Sequence, residues 1–254
     1  MLVCLFVSVL FSFQSTLDDT LRLVDDEKGI TVSAYAETLG GDLIHDFRGG
    51  ESLTMASNTK LFTTAASLLA LGKDFRWRTK FYLIDQDLYV LASGDPGWLQ
   101  AGNVDYAEKI MDDVASSLRQ SSIKKIDNLY ICVSQFPEQR SDYWPKDQSS
   151  KPYCAPPAGM TIYQSVLELE LKKDGSVVGV PSLPSYVSIS RHTKPSKYFS
   201  AWWGNDFDVW YQAPPKSAGR ISLSVKDADV YFKSWFASEL EERSFTVDNS
   251  FFAE

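Results

Sequence analysis

Two histidines and three cysteines among 254 residues leave little with which to hold a transition metal. His45 and His192 lie far apart in the chain, and Cys4, Cys132 and Cys154 fall at no ligand spacing, so no metal site is expected. No cofactor is expected either, because the chain has no G-x-G-x-x-G and no phosphate-cradling loop. It also has no G-x-S-x-G elbow, which removes the usual nucleophile of an α/β-hydrolase. Positive charge is scarce: 25 Lys and Arg stand against 33 Asp and Glu, a net charge of −8. Lys124-Lys125 and Lys172-Lys173 are isolated pairs, so no nucleic-acid partner is expected. Repeats and low-complexity tracts are absent.

No apolar run reaches the roughly 18 residues that a membrane-crossing helix needs, so the mature chain should hold no such helix. The longest, "MLVCLFVSVLFSF", ends at Phe13. It fits the apolar region of a secretory signal over 1–16; a buried first strand is the competing reading. A signal implies export, to the periplasm or outer cell envelope. Export would permit one disulfide, between Cys132 and Cys154. Cys132 sits in an apolar, strand-like run and reads equally well as a buried thiol.

What is present points to an α+β protein. "TLDDTLRLVDDE" (16–27) predicts a short amphipathic helix, and "GITVSAYAETLGGDLIHDF" (29–47) two strands turning at Gly40-Gly41. "SNTKLFTTAASLLAL" places apolar residues at 61, 62, 65, 66, 68 and 69, then stops at Gly72. That arc is wide enough to predict a helix buried on most sides. Strands follow from about residue 81, with a turn at Gly94-Asp95-Pro96-Gly97. "VDYAEKIMDDVASSLRQSS" reads as an amphipathic helix, "KKIDNLYICVSQF" as a strand, and "SVLELELKKDGSVVGV" as a hairpin turning at Asp174-Gly175. "DADVYFKSWFASELEERSF" is the last expected helix.

The candidate chemistry lies at the start of the buried-looking helix, where Ser57 precedes Lys60 by three residues. Positions i and i+3 share a helical face, so the lysine nitrogen can reach the serine oxygen. Burial would disfavour the ammonium and leave an amine able to take the serine proton. The helix amino terminus adds partial positive charge, which favours an oxyanion. The plain alternative makes Ser57 an N-cap and Lys60 a solvated side chain. Ser-x-x-Lys also occurs at Ser121-Lys124 and Ser122-Lys125, in a polar loop with nothing to enclose a lysine. His45-Asp46 could seed a serine-histidine-aspartate set, against a solvent-facing strand histidine; His192, in a polar stretch, reads as surface. The aromatics of 198–215, Trp202, Trp203, Trp210 and Tyr211, could stack on sugar rings or fill a sheet face.

The order of these segments resembles the D-alanyl-D-alanine carboxypeptidases/endopeptidases of the class C low-molecular-mass penicillin-binding proteins. The resemblance rests on "MASNTKLFTTAASLLALGKDFRWRT", Gly94-Asp95-Pro96, "IDNLYI", "YWPKDQSSKPYCAPPAG" and "DADVYFKSWFASELEERSFTV", in family order from about residue 29 to 247. It implies Ser57 as the acylated nucleophile, Lys60 as general base, peptidoglycan peptides as substrate and β-lactams as covalent inhibitors. The implied fold is a partial serine transpeptidase/β-lactamase-like α/β domain at 17–80, followed by an inserted, strand-rich domain at 81–254. The family's asparagine after the A-P-P segment is replaced near Gln164, and neither S-x-N nor K-[ST]-G occurs; "KSAG" (216–219) is the nearest. The chain therefore reads as the amino-terminal portion of such an enzyme. A non-catalytic envelope- or glycan-binding module and a serine-lysine esterase or amidase remain the other readings.

Overall fold

The computed structural model describes residues 16–98, 104–133, 136, 142–180, 186–194, 196–204 and 207–253. The apolar run read as a signal, Met1 to Phe13, lies outside them. The chain divides into two compact units, Met1–Phe75 and Arg76–Glu254.

The first unit opens with helix α1 (16–25). Strands β1 (Ala34–Glu37) and β2 (Leu43–Phe47) then pair antiparallel, turning through Gly41 at φ 91°. Gly49, just after β2, has no room for a side chain, since a Cβ there would come within 2.8 Å of the Tyr35 ring. A single 3-10 turn, Ala56–Asn58, leads into α2 (Thr59–Leu71). Gly72, at φ 81°, closes that helix with its N–H on the Leu68 carbonyl, as the glycine predicted.

α2 departs from expectation in one respect: none of its residues is buried. Leu61, Phe62 and Leu69 are 71%, 64% and 87% exposed. An apolar arc records which face a helix would bury, not whether anything covers it. Among its described residues the first unit offers α2 a short helix and a two-stranded hairpin, too little to build a core alone.

The second unit has a substantial core. Its four-stranded sheet runs β12-β5-β4-β3, built from β3 (Lys80–Ile84), β4 (Asp87–Leu91), β5 (Lys125–Cys132) and β12 (Thr246–Ala253). β3 and β4 form an antiparallel hairpin, whereas β4, β5 and β12 are parallel. Alternation sends Leu88, Val90, Leu129 and Ile131 inward. They meet Met111 and Leu118 of α3 (Val104–Gln120) and Phe232, Phe236 and Leu240 of α4 (Ala228–Glu242) in one cluster. On the other face Tyr89, Tyr130 and Phe251 stack in register, with ring centroids 4.6 and 5.6 Å apart.

Two three-stranded sheets complete the unit. β11 (Gly219–Ser224), β6 (Val166–Leu171) and β7 (Val177–Val180) form an antiparallel sheet, with the β6–β7 turn at Asp174-Gly175 as expected. β8 (Ser188–Arg191), β10 (Asp208–Gln212) and β9 (Ser200–Trp203) form the other. Asp227 caps α4 by accepting the Val230 N–H at 2.8 Å. Cys132 and Cys154 each carry a thiol rather than half of a disulfide, so the bridge permitted by export is not made. Among the described residues no helix is long and apolar enough to cross a membrane.

Candidate functional site

Ser57 lies within the 3-10 turn that feeds α2, and Lys60 in the first turn of the helix proper. The turn starts from a strained backbone: Ala56 sits at φ 44°, in the left-handed region that disfavours a side chain. The Thr59 N–H reaches back to the carbonyls of Ala56 and Ser57, which fixes the turn against the helix. Lys60 Nζ then donates to Ser57 Oγ at 2.9 Å.

Ser57 is not the helix cap. Asn58 occupies that position with helical dihedrals, φ −64° and ψ −21°, and contributes no side-chain cap bond. The first turn contains no acidic residue. Its positive end is therefore not compensated by a carboxylate, and the serine hydroxyl hydrogen-bonds to the lysine. The arrangement pairs a hydroxyl with an amine at proton-transfer distance beside a helix amino terminus. One part of the expected chemistry is missing: both side chains are exposed, so the enclosure invoked for the lysine is not there.

The other candidates separate. His45 is buried rather than solvent-facing, because β2 turns His45 and Phe47 inward. Its Nε2 lies 3.6 Å from Asp18, beyond hydrogen-bond length, and has no hydrogen-bond partner. Asp46 instead accepts the Gly49 N–H at 2.7 Å and shapes the turn after β2. Neither residue pairs with Ser57 in any hydrogen bond or ion pair among the described residues. His192 is half-buried rather than on an open surface, with its ring against Trp202 and Trp210. The aromatic stretch divides by strand alternation. Trp203 donates to the Ser224 carbonyl at 2.7 Å and Tyr211 is buried, whereas Trp202 and Trp210 lie across from each other on the opposite face. No group of three or more metal-ligating side chains occurs among the described residues.

Two features escaped the sequence reading. Tyr163, Gln164 and Ser165 adopt φ of 50°, 58° and 56°, three successive residues in the left-handed region. That is where an asparagine is tolerated better than most residues, which gives the substitution near Gln164 a backbone context. Asp229 is buried in the first turn of α4 and accepts the Met160 N–H at 3.2 Å. Burial pushes its carboxyl up to about 6, with the Asp227 charge adding to the rise and the Met160 N–H opposing it. Helical periodicity marks such a position as polar and gives no sign that it faces inward.

A model of the D-Ala-D-Ala carboxypeptidase 3 (S13) family matches residues 12–252. The chain is 29% identical over 147 residues to a D-alanyl-D-alanine carboxypeptidase of Actinomadura sp. (strain R39), an alignment covering 54% of this chain and 26% of that protein. In fold it is similar to penicillin binding protein 4 from Haemophilus influenzae, with a TM-score of 0.63 and 18% identity over 83% of this chain and 50% of that one. The same protein complexed with a novel β-lactam aligns with a TM-score of 0.59 and 18% identity over 85% and 50% of the two chains. The chain thus spans about a quarter of the curated relative and half of the solved one.

Proposed function

Because the chain belongs to the D-Ala-D-Ala carboxypeptidase 3 (S13) family, we propose that it carries the nucleophile and base of a serine-type D-Ala-D-Ala carboxypeptidase/endopeptidase acting on peptidoglycan peptides. The observation that carries this reading is the 2.9 Å hydrogen bond between Lys60 Nζ and Ser57 Oγ at the mouth of α2.

Ser57 Oγ attacks the carbonyl carbon of the penultimate D-Ala while its proton passes to the neutral amine of Lys60. As the tetrahedral adduct collapses, the peptide C–N bond breaks and Lys60 returns the proton to the departing amine. Water then gives a proton to Lys60 and attacks the acyl ester, and the product acid leaves as Ser57 regains its proton. A β-lactam follows the first half of this path. Its amine stays tethered after ring opening, so the ester on Ser57 persists.

A lysine in water holds its proton at neutral pH, so this chemistry needs α2 to be enclosed. The bare apolar face of α2 and the absence of S-x-N and K-[ST]-G support a cleft whose second wall lies outside these 254 residues. In this reading 17–80 belong to a transpeptidase-type domain, 81–254 form an inserted domain, and the protein works in the exported cell envelope.

The test uses a peptide ending in D-Ala-D-Ala and follows release of D-Ala by the protein isolated from its native envelope. Ser57→Ala should abolish release. Lys60→Ala should lower kcat by about 10²-fold or more with a smaller effect on KM. Release that survives Ser57→Ala would refute the assignment. Release of simple ester products with no D-Ala would instead favour a serine-lysine esterase.

A further inference from the structure

We propose that the outer face of the β8-β10-β9 sheet binds an anionic glycan, stacking sugar rings on Trp202 and Trp210 and holding an acidic substituent in the adjoining basic cavity. Three independent observations converge there.

The first is the arrangement of the aromatics. Trp210 and Trp202 are cross-strand partners, both half-exposed, and the His192 ring lies 5.6 Å from one and 6.2 Å from the other. Trp210 packs directly on Gly204, where a Cβ would fall 2.5 Å from the indole, so any other residue there would displace the ring. Trp203 and Tyr211 point the other way and account for the sheet's packing. The outward pair is thus not needed to fill the core. Ser190, Ser200 and Gln212 share its face and offer hydroxyl and amide groups to a polar ligand, while Asp208, on the same face, is engaged by the Ser188 hydroxyl.

The second is a cavity of about 320 Å³ beside His192, lined by Arg191, His192, Thr193, Lys194 and Ser196 of one segment and Ala213 and Pro215 of another. The third is charge. The chain carries −8, yet residues 175 to 226 hold six lysines and arginines against two aspartates. Arg220 is paired with Glu168 and Glu170, but Lys194, Lys197 and Lys216 make no ion pair among the described residues. Lys194 lines the cavity, and Lys197 and Lys216 follow its lining residues Ser196 and Pro215 in sequence; unpaired basic groups there on an acidic protein attract anions. Rings with apolar faces suit the indoles, and a carboxylate or phosphate suits the lysines.

The identity of the natural glycan rests on the reading above: peptidoglycan strands freed of their stem peptides carry a lactyl carboxylate on alternate sugars. Binding itself is independent of Ser57. The full chain is titrated by calorimetry with peptide-free peptidoglycan glycan strands and with a neutral β-1,4-linked N-acetylglucosamine oligomer of equal length. The anionic strand should bind more tightly, and less so as salt rises. Trp202→Ala and Trp210→Ala should each weaken both ligands by about tenfold, a loss of about 1.4 kcal/mol. Lys194→Gln, a surface change that cannot unfold the sheet, should erase the preference for the anionic strand while keeping the neutral one. In the protein isolated from its native envelope, all these variants should take a labelled penicillin as the unaltered protein does, which separates this site from Ser57 chemistry. Failure of the unaltered chain to bind either glycan overturns the proposal. So does binding to anionic lipid vesicles that matches the glycan and ignores Trp210→Ala, which would make the patch a membrane contact.

Discussion

Asp229 offers a quantitative test of the second unit's packing. Its carboxyl is 6% exposed, and burial raises it from 3.8 to about 6. The folded state therefore holds this proton more tightly than the unfolded chain does. The contribution to stability is complete below the unfolded value and is lost as pH rises through about 6. A shift of that size corresponds to about 3 kcal/mol over the whole span. The sequence pI near 4.9 makes the acid end impractical, because proteins associate near zero net charge. Between pH 5.5 and 8 the expected loss is about 0.8 kcal/mol, or roughly 2–3 °C in Tm for a unit of this size. Asp229→Asn keeps an oxygen for the Met160 N–H and cannot titrate. Glu239 is also raised by burial, but it is present in both proteins and cancels in the difference. Thermal melts of both proteins at half-unit pH steps should show the difference, variant minus wild type, growing in the variant's favour by that amount toward pH 8. A difference independent of pH would refute the buried, titrating carboxylate.

Gln164→Asn should stabilise by about 0.5 kcal/mol, because asparagine accepts φ 58° with less strain and the exposed glutamine forfeits no packing; urea midpoints measure it. Asp227→Ala should cost about 1 kcal/mol by removing the α4 cap on the Val230 N–H, read from the same melts. Gly49→Ala should destabilise the β1–β2 hairpin, with faster amide exchange at Ala34 to Glu37, since its Cβ would strike Tyr35 at 2.8 Å.

Local chemistry explains which parts of the molecule were legible in the sequence. Gly72, Asp174-Gly175 and Asp227 each meet a backbone requirement set by neighbouring residues, and each lies where its residue type predicts. The Ser57–Lys60 contact follows from helical spacing in the same way. Distant partners were harder to read. β12 was harder to read because its residues, from Thr246 to Ala253, are all exposed or half-buried and show no alternation of buried and exposed positions. The burial of His45 and the exposure of α2 depend on what the rest of the chain does or does not bring over them. Spacing also gives no sign of the 3-10 turn ahead of α2, which holds Ser57 and leaves the cap position to Asn58.

The role of Ser57 is most directly tested by treating the native envelope with a labelled penicillin and mapping the labelled peptide by mass spectrometry. An acyl adduct should appear on Ser57, be lost in Ser57→Ala and form more slowly in Lys60→Ala. An unmodified Ser57 peptide, with the label elsewhere or absent, would contradict that role.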